Sequence, residues 1–137
     1  MTMVTVQQVG FGSAAAVRLL ALLNAHWSDL THLETERDGM VIPQPFVAQE
    51  GNCVVGGGSF SRYTRPGGSD PVVWLNALYV LPSHRGRGIA SQLLRDCVRV
   101  APQLYALTDI PALYTQLGWK ILSTDPDGIV VGWNHSV

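Results

Sequence analysis

The sequence predicts an α/β domain on a mixed, mostly antiparallel sheet flanked by helices, and three observations carry that expectation. Two pairs of apolar runs are each joined by a short polar turn, the pattern of β-hairpins: Phe46 to Gln49 with Cys53 to Phe60, and Trp119 to Ser123 with Ile129 to Trp133. Two other segments space their apolar residues as helices do. An apolar run from Val72 to Val80 leads directly into a glycine-and-arginine turn that opens the second of those helices.

The elements follow in order. Val4 to Val9 alternates well enough for a first strand, and Gly10-Phe-Gly12 turns the chain so that Ser13 caps a helix. Val17, Leu19, Leu20, Leu22 and Leu23 make the apolar stripe of that helix, from Ala14 to about Ala25. Trp27 to Asp38 is less regular and reads as a short second helix before Gly39. In the first hairpin, Glu50-Gly-Asn52 is the turn, and Gly56, Gly57 and Gly58 mark a bulge or the close approach of another backbone. Tyr63 to Pro71, with two prolines and two adjacent glycines, is a loop. Val72 to Val80 is apolar on both faces and therefore central. Ile89, Leu93, Leu94, Cys97, Val98 and Ala101 keep helical spacing until Pro102 stops the helix. Gln103 to Thr108 is a short strand, Pro111 begins a brief helix to Leu117, and Gly118 ends it. The closing hairpin turns at Thr124 to Gly128, and no repeat is present.

Composition narrows the class. The 137 residues suit one domain with one core and no linker. Hydrophobic residues make up 47% and charged residues 14%, yet no apolar run reaches the roughly 18 residues of a membrane span, so a protein outside the membrane is expected. The start Met-Thr-Met-Val-Thr-Val lacks the basic and apolar regions of a secretory signal, which makes the cytoplasm the expected location. Cys53 and Cys97 stand apart in apolar elements and are expected to be buried thiols, with no disulfide and no metal. A net charge of −1 argues against a nucleic-acid partner held by a general basic surface. The basic residues are nonetheless concentrated: Arg85, Arg87, Arg95 and Arg99 share a span whose one acid is Asp96. Asp29, Glu34, Glu36 and Asp38 form an acidic region around Arg37. That separation suits a polyanionic ligand at one place and a cationic partner at another, with solvated surface charge as the plainer reading of any single residue.

Val80-Leu-Pro-Ser-His-Arg-Gly-Arg-Gly-Ile-Ala-Ser91 has the properties of a phosphate site. Glycines 86 and 88 let the backbone approach a ligand, the first amides of the helix lack intrahelical partners, and arginine supplies fork-shaped donors. It is not a P-loop, since the one lysine is Lys120, and its final serine departs from the dinucleotide fingerprint. Arg85-Gly-Arg-Gly88-Ile-Ala90, preceded by the strand Trp74 to Val80, instead resembles the acyl-CoA motif of the GNAT superfamily, the Gcn5-related N-acetyltransferases. Ala112-Leu-Tyr114-Thr-Gln-Leu-Gly118-Trp119 is similar to a second element of that family at the usual distance downstream.

The resemblance implies a GNAT-like acyl-CoA N-acyltransferase fold and acetyl transfer from acetyl-CoA to a primary amine of a small molecule or peptide. It implies that the central strand splays from a parallel neighbour, here Gln103 to Thr108, and that Leu78, Tyr79 and Val80 meet the pantetheine arm. The turn residues Arg85, Gly86, Arg87, Gly88, Ile89, Ala90 and Ser91 would bind the cofactor, the amides from Arg87 to Ser91 holding the pyrophosphate and the arginines reaching toward the 3′-phosphate; Arg95 and Arg99 lie further along and read as surface charge. Tyr114 matches the family tyrosine that protonates the leaving thiolate, and a packed aromatic is its alternative. At the position where some members carry a glutamate base, this chain has Trp74, and Asn76 two residues on can orient a water but takes no proton. His26 and His84 are the titratable alternatives, read respectively as a surface residue and a cap of the cofactor turn. Trp27 and Asp29, with Trp74 and Asn76, are the candidate acceptor contacts; Asp125 and Asp127 add acidity to the opposite wall, suiting a cationic amine. A module that binds acetyl-CoA or CoA without turnover is the alternative function, and both monomer and homodimer remain open.

Overall fold

The computed structural model of the chain describes residues 3–33, 35–37 and 39–134. β1 (Val4–Gln8) leads into α1 (Ala14–His26), the two-residue strands β2 (Glu36–Arg37) and β3 (Met40–Val41), then β4 (Phe46–Glu50), β5 (Cys53–Thr64) and β6 (Pro71–Val80). After one turn of 3-10 helix at Pro82–His84 come α2 (Ile89–Cys97), β7 (Gln103–Thr108), α3 (Pro111–Thr115), β8 (Lys120–Asp125) and β9 (Gly128–Asn134). The main sheet has seven strands in the order β1-β4-β5-β6-β7-β9-β8, antiparallel throughout except between β6 and β7. No described helix is long and apolar enough to cross a membrane.

Strand alternation sorts the core into two layers. Val47 of β4 and Ala77 of β6 face α1, where Leu19 and Leu23 are fully buried. Phe46 and Ala48 face the other way, into a larger cluster with Leu93, Leu94 and Cys97 of α2 and Tyr114 of α3. The glycine run of β5 has the steric cause its sequence suggested. A Cβ on Gly57 would stand 2.5 Å from both Leu19 Cδ1 and Phe46 O, and one on Gly56 2.6 Å from Tyr79 O. The absence of side chains is therefore what lets α1 lie close on the sheet.

Several boundaries differ from the sequence expectation. No second helix forms in the described part of 27–38. The Trp27 amide donates to Leu23 O, and Asn24 Nδ2 donates to Ser28 O and Leu30 O, so the end of α1 turns into an irregular segment. Ser13 caps the other end as expected, accepting from the Ala16 amide at 3.1 Å. β5 runs four residues past Phe60, and the loop shrinks to 65–70, closed by the Arg65 amide on Asp70 O. α2 ends at Cys97, before the expected stop at Pro102, and α3 ends at Thr115, before Leu117. The closing turn narrows to Pro126 and Asp127. Cys97 is buried, but Cys53 is exposed, because it is the first residue beyond the turn of its hairpin; both are free thiols.

One departure from a continuous sheet matters most. β6 and β7 are joined by the α2 crossover, as parallel neighbours must be, but only Trp74 and Tyr105 stand in register. Beyond that pair β6 follows β5 to Val80 and β7 follows β9 to Thr108, so their inner edges part. Ser59 lies opposite Ala77 and Phe60 opposite Leu75, leaving Asn76 as the extra residue of a bulge where the parting begins.

Candidate active site

The parted strands enclose a cavity of about 640 Å³. Leu78, Tyr79 and Val80 line its β6 side, Leu107 and Thr108 its β7 side, and Leu113 and Tyr114 its floor on α3. Val80, Arg85, Ala90 and Leu113 continue into a second cavity of about 230 Å³ against Gly86, Gly88, Ile89 and Ser91. A single groove thus joins the sheet opening to the start of α2.

The backbone geometry of that second cavity suits an anion. Gly86 and Gly88 have φ of +78° and +79°, and a Cβ on either would meet nothing within 4 Å. Gly88 is the N-cap of α2 and gives it no side-chain cap. The first helical bond runs from the Gln92 amide to Gly88 O, so the amides of Ile89, Ala90 and Ser91 have no intrahelical acceptor. They stand at the positive end of the helix dipole. These features fit the pyrophosphate of a nucleotide thioester.

Arg85 lines both cavities, and each arginine of the turn also has a partner within the protein. Arg85 Nε donates to Val80 O at 2.9 Å and its guanidinium lies over the Tyr79 ring, so it braces the end of β6. Arg87 lines neither cavity, and its Nη1 lies 3.4 Å from Glu50 Oε2. Glu50 also accepts from His84 Nε2 at 3.4 Å, while His84 Nδ1 meets Ser83 Oγ. His84 therefore caps the turn, and the turn is anchored to the β4–β5 hairpin by a carboxylate that sequence reasoning missed. Glu50 is 34 residues from His84, and no local pattern connects them. Arg95 and Arg99 are exposed, and Arg99 Nη1 lies 3.8 Å from Asp96.

Tyr114 sits at the base of the larger cavity, 5% exposed and edge-on to Trp119. Its hydroxyl makes no hydrogen bond to a described residue. Burial, followed by the nearby Cys97 and Asp109, pushes the phenol above the ordinary tyrosine range, so it keeps its proton at neutral pH.

Two further cavities lie beside the opening. One of about 850 Å³ takes in Trp27, Tyr63, Arg65, Trp74, Asp125 and Asp127; the other, of about 290 Å³, takes in Asp29, His32 and Ser59. Trp27 and Asn76 line both of these and the strand opening as well, and Asp127 lines the opening and the 850 Å³ cavity. Trp74 is a wall: its Nε1 donates to Thr64 O, and its ring packs against Tyr63 and Tyr105. His26 lies on the opening with its ring 4.6 Å from that of Tyr79 and 4.5 Å from that of Trp27. Glu36 lines none of the four cavities described, and Glu34 and Asp38 lie outside the described residues.

Residues 14–119 match the model of the acetyltransferase (GNAT) family. The chain belongs to the GNAT family. Acetyl transfer from acetyl-CoA is the activity class of these proteins. No curated protein sequence matches the chain significantly. Solved structures match along nearly its whole length. PH1933 from Pyrococcus horikoshii OT3 has a TM-score of 0.71 at 14% identity, covering 98% of this chain and 100% of its own. Arabidopsis thaliana Naa50, in complex with the bisubstrate analogue CoA-Ac-MVNAL, has a TM-score of 0.59 at 18% identity, covering 96% and 98%. The PaiA N-acetyltransferase from Thermoplasma acidophilum, in complex with coenzyme A, has a TM-score of 0.65 at 11% identity, covering 97% and 99%. Such low identities establish a shared GNAT fold and leave the acceptor to be argued from this chain's own residues.

Proposed function

We propose that residues 1–137 form one N-acetyltransferase domain that moves the acetyl group of acetyl-CoA directly to a primary amine of a small molecule or peptide. The carrying observation is that the thioester groove and the acceptor cavity share Trp27, Leu75, Asn76, Leu107 and Asp127, so that amine and acetyl group meet at one place. Acetyl-CoA supplies an activated carbonyl whose leaving group is a thiolate. The exposed inner edges of β6 and β7 offer backbone partners to the pantetheine amides, and the amides of residues 89–91 meet the pyrophosphate. The ammonium first loses a proton to water oriented by Asn76. As the neutral amine nitrogen bonds to the carbonyl carbon and the carbon–sulfur bond breaks, Tyr114 gives its proton to the thiolate, and the proton shed by the new amide nitrogen returns through water to the Tyr114 oxygen. Asn76 orients the incoming amine or its water, and the Asp127 carboxylate draws in the amine as a cation. The CoA-containing complexes of Naa50 and PaiA support the cofactor assignment.

The test is thiol release over a panel of amines. Tyr114→Phe should lower kcat on the order of a hundredfold, the lower end of general acid catalysis, with acetyl-CoA affinity nearly unchanged. Full turnover in that variant would return Tyr114 to a packing role. One observation favours a second reading, a module that holds acetyl-CoA without turnover: Trp74, where some relatives carry a base, is committed to Thr64 O and an aromatic stack. Acetyl-CoA binding with no thiol release on any amine would select it.

A further inference from the structure

The cavity of about 850 Å³ is not lined by charge of one sign. Asp125 at the end of β8 and Asp127 in the turn after it line it, and so do Arg62 of β5, which has a partner of its own, and Arg65 of the loop after β5. Arg65 is held in a fixed pose: Nε donates to Asp70 Oδ2 at 2.9 Å, and Nη1 donates to Gln103 Oε1 at 2.8 Å and to the Tyr105 hydroxyl at 3.2 Å. Asp70 is not part of the cavity lining, so the cationic member of the pair faces the cavity and the anionic member does not. The Nη2 edge makes no hydrogen bond to a described residue, and an oriented guanidinium edge is a good match for a carboxylate.

The strand register sets the separation of these charges. Arg65 is tied to Gln103 and Tyr105 in the first half of β7, whereas Asp127 precedes Ile129, which pairs with Thr108 at the far end. Three strand steps from Tyr105 to Thr108 place the two ends on the order of 10 Å apart. Trp74 and Tyr63 add aromatic surface to the same cavity, with Trp74 packed on Tyr105 at the Arg65 end. The Asp127 end is the one that joins the thioester groove.

From this arrangement we propose that the acceptor is an extended amphoteric amine, a short peptide of about three residues, with its amine at Asp127 and its C-terminal carboxylate at Arg65. The assignment rests on the transferase reading above and narrows it. A polyamine would set a second ammonium against the guanidinium, and a free α-amino acid is too short to reach both ends.

Thiol release with matched tripeptides bearing a C-terminal carboxylate or carboxamide, and with spermidine as a third acceptor, tests the proposal. The carboxylate peptide should exceed the amide about tenfold in kcat/KM, the range of a charge-assisted hydrogen bond, and spermidine should fall below both. Arg65→Gln should bring the acid-to-amide ratio near one, and Arg65→Lys should keep part of it. Equal rates for acid and amide in the unaltered protein, spermidine as the best acceptor, or a ratio that survives Arg65→Gln would each overturn it. The first two comparisons need no variant and do not depend on the folding of one. If acetyl-CoA binds but no amine releases thiol, the transferase reading falls, and calorimetric affinities of the two peptides for the CoA-loaded protein then decide the acceptor proposal by the same ratio.

Discussion

At the scale of single residues, Gly88 and Asp127 lie toward opposite ends of the proposed site. Gly88 combines φ of +79° with open space beside its Cα, so a valine side chain at this position would be strained and would project where a phosphate belongs. Acetyl-CoA should raise the melting temperature of the unaltered protein by mass action, and Gly88→Val should abolish that rise; a preserved shift would place the ligand elsewhere. Asp127→Asn should raise KM for the amine about two- to fivefold, the worth of an exposed charge pair, and leave KM for acetyl-CoA unchanged. The effect should fade as ionic strength increases. These residues were legible in the sequence to different degrees. The glycines and Tyr114 sit in short motifs that resemble elements of the GNAT family, so they could be singled out from the sequence. Glu50 and Arg65 act through partners 34 to 40 residues away, which no local pattern encodes.

At the scale of elements, α2, β7 and α3 enclose Cys97 and Tyr114 in one apolar layer. Burial raises the thiol and the phenol alike, with Asp96 adding to the shift of Cys97. Unfolding returns them to about 8.5 and 10, so the folded chain holds more protons above those values. Stability is therefore full below pH ~8.5 and falls as the pH rises, by up to about 1.4 kcal/mol per unit for each group. Cys97→Ala should delay the onset of that loss toward pH ~10, read from urea midpoints between pH ~8 and ~11. An unchanged onset would show that the thiol ionises without cost where it sits. Element order was legible because apolar periodicity survives in a single sequence. No helix forms in the described part of 27–38, because the Asn24 side chain and the Trp27 amide close α1 with hydrogen bonds to backbone carbonyls, which apolar spacing does not register.

At the scale of the whole molecule, the central discontinuity of the sheet divides it into a part built on β1, β4, β5 and β6 and a part built on β7, β9 and β8. The sequence marked where the first part ends, at the turn after Val80, but the single in-register pair between Trp74 and Tyr105 follows from strand geometry that no residue pattern announces. That pair acts as a pivot. Past it, the backbone amides of β6 that face away from β5 depend on water, and local opening there should need less free energy than in the paired strands. Their deuterium uptake should outpace that of β5, and bound acetyl-CoA, by lying between the two parts as a strand would, should slow it selectively. Uniform protection across β5 and β6 with and without the cofactor would show that the two parts already move as one rigid body.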